Sequence, residues 1–85
     1  MTEFSLRNLS VLNYANGFTS WHYKLGGATF EQATSKGFFA NGSDLLAPGD
    51  MIVISGNDEG GWAFVFGAGK SIQAVAAVRS ERVPA

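Results

Sequence analysis

The chain has 85 residues, no cysteine, 46% apolar and 15% charged residues, and a formal net charge of −1. This length predicts a single domain over residues 1–85 with a thin core, and the lack of cysteine excludes disulfides and cysteine–zinc sites as reinforcement. The basic residues are scattered, which argues against a nucleic-acid partner, and no apolar stretch approaches the ~20 residues of a membrane helix.

A small chain with so few charges must leave apolar groups on its surface. Large exposed apolar patches usually mark contact sites, so we expect self-association or docking onto a larger assembly. A plain compact monomer is the alternative, since scattered exposed apolar residues are normal. Residues 1–3 lack a basic start and an apolar run, so no export signal is expected and synthesis in a cytoplasm is the default.

The N-terminal segment 1–9 is predicted to be an arm, with a short edge strand over residues 4–7. Loose alternation puts Phe4 and Leu6 on one face, and we take both as candidate contact residues. Residues 11–14 form a second apolar patch.

A hairpin turn and a strand follow. Asn16 and Gly17 both accept positive φ, so this pair is a strong hairpin signal. Residues 18–24 predict a strand with a large aromatic face that carries Trp21 and Tyr23. The opposite face of this strand carries Phe18, Ser20, His22 and Lys24.

Residues 29–36 are the one helical segment that the sequence predicts. Thr29 and Gln32 have the spacing of a capping box, and Gly37 fits a C-terminal stop. Two turns are too short to be stable alone, so the helix would be a connector or would pack on a sheet through Phe30 and Ala33.

The clearest local pattern is a turn followed by an apolar run. Pro48 and Gly49 predict a type II turn, which the Asp50 side chain can close by bonding nearby backbone N–H groups. Residues 51–54 are apolar and mostly β-branched, so they predict a buried central strand. Residues 38–40 could add a short strand earlier in the chain.

The C-terminal third predicts more β structure. Residues 56–61 are predicted to be a flexible loop, and residues 62–66 a strand that pairs back in an antiparallel hairpin. Residues 71–78 are a strand or a helix, and the short turns before them favour a strand. Residues 80–85 are predicted to be a polar tail, with two further candidate contact residues, Arg82 and Val83.

Together these segments predict an all-β domain. We expect a small barrel or sandwich of about five to six short antiparallel strands with one short helix.

Two motifs that could carry catalysis or nucleotide binding are incomplete. Gly69, Lys70 and Ser71 look like the end of a phosphate loop, but Phe64 stands where the first glycine is required. His22 is the only histidine, and neither an orienting carboxylate nor a nucleophile accompanies it in the sequence, so a packed or surface histidine is favoured.

Acidic residues in turns do not form a recognisable cation site. Asp50, Asp58 and Glu59 lack the spacing of an EF-hand loop, so calcium binding is unsupported. We therefore expect no catalytic residue, no cofactor and no metal ion.

The aromatic residues have two interpretations. Trp21 and Tyr23, joined by Trp62 and Phe66, could stack against bases or sugars. Such platforms come with a basic groove, which is lacking here, and a small core needs large side chains. A place in the core or at a subunit interface is therefore favoured, and Trp21, Tyr23 and Trp62 are candidate contact residues.

Three pieces of the chain resemble a group of short virion-associated proteins of tailed bacteriophages and prophages. They are Tyr-Ala-Asn-Gly-Phe-Thr-x-Trp-His-Tyr at 14–23, Gly-(aromatic)-Phe at 37–39, and Leu-x-x-Gly-Asp-x-Ile at 46–52. The resemblance covers residues 10–54, and its last piece is common to many small barrels.

The resemblance implies a non-enzymatic virion structural protein, made in the host cytoplasm, of the capsid decoration or cement type. Its partners would be the major capsid protein or other virion proteins, and a homo-oligomer, such as a trimer, would bury the apolar surface. The termini would augment neighbouring sheets. The alternatives are a tail or head-fibre component, a β-barrel module that binds glycan or nucleic acid, and a small enzyme.

Overall fold

A computed structural model describes residues 4–15, 17–67 and 69–81 of the chain. These residues form five strands: β1 (Leu9–Ala15), β2 (Phe18–Lys24), β3 (Met51–Ser55), β4 (Glu59–Phe66) and β5 (Gln73–Glu81). The strands make one sheet in chain order, with β1 at one edge and β5 at the other. The predicted β-rich fold is confirmed, and five strands lie within the predicted number.

The centre of the sheet differs from the prediction. β2 and β3 run parallel, whereas the other three neighbouring pairs are antiparallel, so the all-antiparallel prediction is wrong at this point. A parallel pair needs a long crossover connection, which residues 25–50 provide. No pairing joins β1 to β5 in the parts of the chain that are described, so the sheet is open and a barrel is not shown.

The first hairpin confirms the sequence pattern. Ala15 pairs with Phe18, and Gly17 has a φ of 101°, which glycine adopts without strain. Asn16 lies outside the described residues. The predicted strand over residues 18–24 matches β2 in both bounds.

The crossover contains helix α1 (Phe30–Ala33) and a 3₁₀ helix (Phe38–Gly42). Both bonds of the predicted capping box at Thr29 are present, and the two predicted packing residues of α1 are buried. The helix is shorter than predicted because Thr34 leaves helical geometry with a ψ of 6° and caps it, while its hydroxyl bonds back to the Phe30 carbonyl at 2.9 Å. The predicted strand over residues 38–40 is wrong, since local bonds such as Ala40 N to Gly37 O make a 3₁₀ turn there.

The turn before β3 has the predicted form. The Asp50 amide donates to the Ala47 carbonyl at 3.1 Å, and Gly49 has a φ of 95° at the third position of a type II turn. β3 is the third of the five strands, and Ile52 and Ile54 are buried, so the central buried strand is confirmed.

The C-terminal third contains more strand structure than predicted. The loop after β3 is limited to residues 56–58, because Gly60 and Gly61 already pair with β3, so the predicted loop over 56–61 is wrong. For residues 73–78 β5 settles the alternative in favour of a strand, whereas Ser71 ends a 3₁₀ helix over Gly69–Ser71. β5 also includes Ser80 and Glu81, so the prediction of a tail over 80–85 is wrong for these two residues, and residues 82–85 lie outside the described part of the chain.

The two faces of the sheet have different environments. Because side chains alternate across a strand, one set points towards the crossover and the other away from it. We call the first side the inner face. It carries the buried residues Trp21, Tyr23, Ile52, Ile54, Ala63, Val65 and Ala74, and it packs against Leu25, Phe30, Ala33, Phe39, Leu46 and Ile72.

We call the opposite side the outer face. The register puts two rows of side chains on it, one running His22, Val53, Trp62 and Val78, the other Ser20, Met51, Phe64 and Val75. No helix or loop of the described chain forms a layer over these rows, and Phe64, Val75 and Val78 are exposed.

The predicted N-terminal arm is part of the fold over residues 4–9. The Phe4 ring stacks on Tyr23 with centroids 5.5 Å apart and meets Phe39 edge-on at 5.4 Å. A 3₁₀ turn over Leu6–Asn8 then leads into β1, so the predicted edge strand over 4–7 is wrong. Aromatic packing overrides the weak alternation, which could not show that Phe4 belongs to the core.

Candidate functional site

Asp50 is a buried carboxylate that organises the centre of the molecule. It is 4% exposed and accepts three hydrogen bonds, from the Thr19 amide, the Trp21 indole and the Ala47 amide, at 3.0, 3.0 and 3.1 Å. The predicted closure of the turn is confirmed, and the bond to Trp21 is an addition. All three donors belong to the chain, so this carboxylate holds β2 to the turn before β3 and does not face a ligand.

Three predicted contact residues pack inside the chain. Trp21 is 7% exposed and Tyr23 is 0% exposed, and the Tyr23 hydroxyl accepts a hydrogen bond from the Ser5 amide at 3.0 Å. Phe4 is half-buried against the Tyr23 ring. A stacking platform for a ligand must be open to solvent, so the interpretation of Trp21 and Tyr23 as core residues is the one that fits.

The other predicted contact residues have mixed positions. Leu6 is 60% exposed in the 3₁₀ turn before β1. Trp62 lies half-buried on the outer face and meets Phe64 edge-on, with ring centroids 5.2 Å apart. Arg82 and Val83 lie outside the described residues.

His22 makes one hydrogen bond in the described structure. Its Nε2 lies 2.7 Å from the Ser55 hydroxyl, and the tautomer decides which group donates. Ser55 also lines a hollow of about 290 Å³ with Lys24, Gly26, Gly56 and Asn57. No carboxylate of the described ranges is bonded to the other ring nitrogen, so the pair lacks the orienting group of a catalytic triad and serves to link β2 to β3.

A second hollow lies beside α1 and has charged walls. It measures about 450 Å³, and Glu59 and Arg79 line it together with Thr29, Glu31, Gln32 and Ser35. Glu59 accepts a bond from the Phe30 amide at 3.2 Å and pairs with Arg79 at 3.2 Å. The Arg79 guanidinium also lies 5.6 Å from the Phe30 ring centroid, so these charges anchor the helix to the sheet.

Neither hollow has the composition of a metal site. Among the described residues, no three histidine, cysteine or acidic side chains come together in a group that could hold a metal ion. In the same ranges, no helix has the length and apolar character needed to cross a membrane.

β1 is an apolar edge strand. Val11, Leu12 and Tyr14 are 56%, 57% and 76% exposed, and the strand contains no charged residue and no proline. Natural edge strands usually carry charges or proline that discourage pairing with another chain. A bulge between Val11 and Asn13 is the single irregularity on the β1 side, whereas the opposite edge strand carries Arg79 and Glu81.

These surfaces were only partly visible in the sequence. The pattern identifies residues 11–14 as an apolar patch, but it does not reveal that they lie at a sheet edge, because strand order depends on distant pairings. Alternation within β4 and β5 could have identified the outer-face residues Phe64, Val75 and Val78.

The chain was compared with protein-family models, curated proteins and solved structures, and none matches at a significant level. A functional proposal therefore depends on the chemistry of these surfaces and on the sequence pattern.

Proposed function

We propose that the chain is a non-enzymatic structural protein of a tailed-bacteriophage virion, a decoration or cement protein that docks onto major capsid subunits through β1. The observation that carries the proposal is the exposed, uncharged and apolar edge of β1. The protein would be made in the host cytoplasm and would work on the virion, without a cofactor.

An edge strand can bind another protein in two ways at once. Its unpaired N–H and C=O groups can extend the sheet of a partner, and its side chains can fill pockets on that partner. Leu12 and Tyr14 supply large apolar side chains for such pockets. A capsid subunit that presents a free strand edge is a partner with matching chemistry.

The sequence resemblance supports the choice of a virion. Its first piece, residues 14–23, runs from the end of β1 through β2, and its last piece, residues 46–52, contains the Pro-Gly turn. The hydrogen bond from Trp21 to Asp50 joins these two pieces. The residues that carry the resemblance are thus bonded to each other and support the fold. This structural role is compatible with a protein that has no catalytic function.

The proposal is tested by co-sedimentation with shells assembled from the major capsid protein of the same genome. We expect the wild-type chain to pellet with shells and Leu12→Lys to bind at least ~10-fold more weakly, since an edge lysine discourages strand pairing and places a charge in an apolar contact. Leu45→Lys is the matched control, because Leu45 is a similarly exposed leucine, at 49%, that lies in the crossover and in none of the strands.

Two results would overturn the proposal. The first is a wild-type chain that stays in the supernatant at every shell concentration. The second is equal binding by Leu12→Lys and the wild type, which would exclude β1 as the docking edge.

A further inference from the structure

We infer that the outer face of the sheet is a self-association surface, on which a second copy of this chain packs sheet against sheet to form a two-layer dimer. The dimer contact would be formed by β2 to β5 and would leave β1 free, so it is separate from the proposed docking edge. A single open sheet would become one half of a sandwich made by two chains.

The chemistry of the outer face fits an identical, uncharged surface. Its two rows contain apolar or neutral polar side chains apart from the titratable His22, and no acidic residue occupies a position in either row. Lys24, at one end of β2, is the nearest charged residue of the same strand face. Two copies can therefore meet without strong like-charge repulsion at the centre, whereas a charged partner would find no complementary group there.

The projected extent of the face is of the order that a small interface needs. Four strands about 4.8 Å apart, with five or more residues at about 3.3 Å each, give a footprint of roughly 19 by 20 Å. This footprint is roughly 400 Å² in projection, of the same order as the ~800 Å² of accessible surface that each partner buries in a specific interface.

The register makes the face complementary to itself. A two-fold axis that runs along the strands between β3 and β4 places β4 of one copy over β3 of the other. Phe64 then faces the partner's Met51, and Trp62 faces the partner's Val53, because each pair shares a row. Large aromatic side chains thus meet smaller aliphatic ones, as in the core of a β-sandwich with layers about 10 Å apart.

The same operation explains why β1 remains free. Rotation about this axis puts β5 over the partner's β2 and leaves β1 with no strand above it. The dimer therefore presents two apolar edges, one from each copy, and both stay open to a capsid subunit.

The test measures the mass of the full chain by sedimentation equilibrium over a wide range of protein concentration. We expect the wild type to reach twice the chain mass. Phe64→Lys should raise the dimer dissociation constant by at least ~30-fold, the effect of losing one central aromatic contact. Leu45→Lys and Leu12→Lys should leave the dissociation constant unchanged, because Leu45 belongs to the crossover and Leu12 to β1, which lies outside the four strands of the footprint.

Trp62 gives a second measurement. Its indole lies on the outer face, so its fluorescence should shift to shorter wavelength as the protein concentration rises, while the indole of Trp21 is already buried. Circular dichroism checks that Phe64→Lys is folded, and Val75→Lys, at another exposed outer-face position, replaces it if it is not.

Three outcomes would overturn the inference. They are a wild-type chain that stays monomeric at every concentration, a trimer or larger ring, and a dimer that survives Phe64→Lys but is lost in Leu12→Lys. The last outcome would mean that copies associate through β1. Loss of shell binding with an intact dimer would leave this inference standing, so failure of the docking proposal can be told apart from failure of the dimer.

Discussion

The Trp21 indole N–H donates a hydrogen bond to the Asp50 carboxylate at 3.0 Å, deep in the core. The two residues are separated by 29 positions, and their bond ties β2 to the turn that starts β3. It lies beside the one parallel pair of the sheet, where no short turn can hold the two strands together. Asp50 therefore contributes to the stability of the crossover through its bonds on both sides of this pair.

Replacing Asp50 by alanine should reduce the free energy of unfolding by more than ~3 kcal/mol. The substitution leaves the Thr19, Trp21 and Ala47 N–H groups without an acceptor, and each unpaired buried donor costs about 1–3 kcal/mol. Chemical denaturation followed by Trp21 fluorescence measures the loss.

Asp50→Asn and Asp44→Ala complete that experiment. Asparagine keeps one acceptor oxygen and replaces the other with an amide donor. We therefore expect Asp50→Asn to lose less free energy of unfolding than Asp50→Ala does, but more than Asp44→Ala. Asp44 is exposed in the crossover, and its replacement should change the free energy of unfolding by less than ~0.5 kcal/mol. Equal stability of Asp50→Ala and Asp44→Ala would contradict the role assigned to the buried carboxylate.

Replacing Phe4 by alanine should reduce the free energy of unfolding by ~2 kcal/mol. Deleting a fully buried phenylalanine costs about 3–5 kcal/mol, and Phe4 is only half-buried against Tyr23 and Phe39. Thermal or chemical denaturation of the purified variant gives the value.

Leu6→Ala is the control for Phe4→Ala, since Leu6 is 60% exposed and its truncation should change stability by less than ~0.5 kcal/mol. If both variants are as stable as the wild type, residues 4–9 form a detached arm and not a part of the core.

Replacing Gly61 by alanine should reduce the free energy of unfolding by ~3 kcal/mol or more. A Cβ at this position would collide with the Val78 carbonyl oxygen and would lie 3.0 Å from the Phe30 ring. Both neighbours are held by the core, and overpacking of this kind costs about 1–3 kcal/mol even where side chains can adjust. Denaturant unfolding measures the effect.

Gly49→Ala separates steric collision from backbone conformation. Gly49 has a φ of 95° and nothing within 4 Å of an added Cβ, so its replacement should cost only about 1–2 kcal/mol from left-handed strain. A Gly61→Ala variant that is no less stable than Gly49→Ala would show that β4 and β5 can move apart to admit a methyl group.

Local chemistry made much of the fold predictable. The bounds of β2, the turn at Pro48 and Gly49, the capping box at Thr29 and the burial of β3 all follow from neighbouring residues. Each depends on φ preference, side-chain capping or alternation within a few positions, which are properties that a sequence displays directly.

The long-range features could not be predicted in this way. The parallel pairing of β2 and β3 depends on how residues 25–50 cross the sheet, and the core position of Phe4 depends on rings that lie far along the chain. The bond from Trp21 to Asp50 likewise forms only when two distant segments meet, so neither segment alone could have predicted it. The length of the crossover was the one signal that could have predicted a parallel pair.

The parallel pair also divides the chain into two locally connected units, and the ladder that joins them should form later than either unit. Closing residues 25–50 costs roughly 2 kcal/mol more chain entropy than closing the short loop 56–58, because this cost grows with the logarithm of loop length. The hairpin of β1 and β2 and the meander of β3 to β5 have local contacts and form early, whereas the ladder between them forms last. We therefore expect refolding to be a docking of two preformed halves, in which Trp62 acquires its native neighbours before Trp21 does.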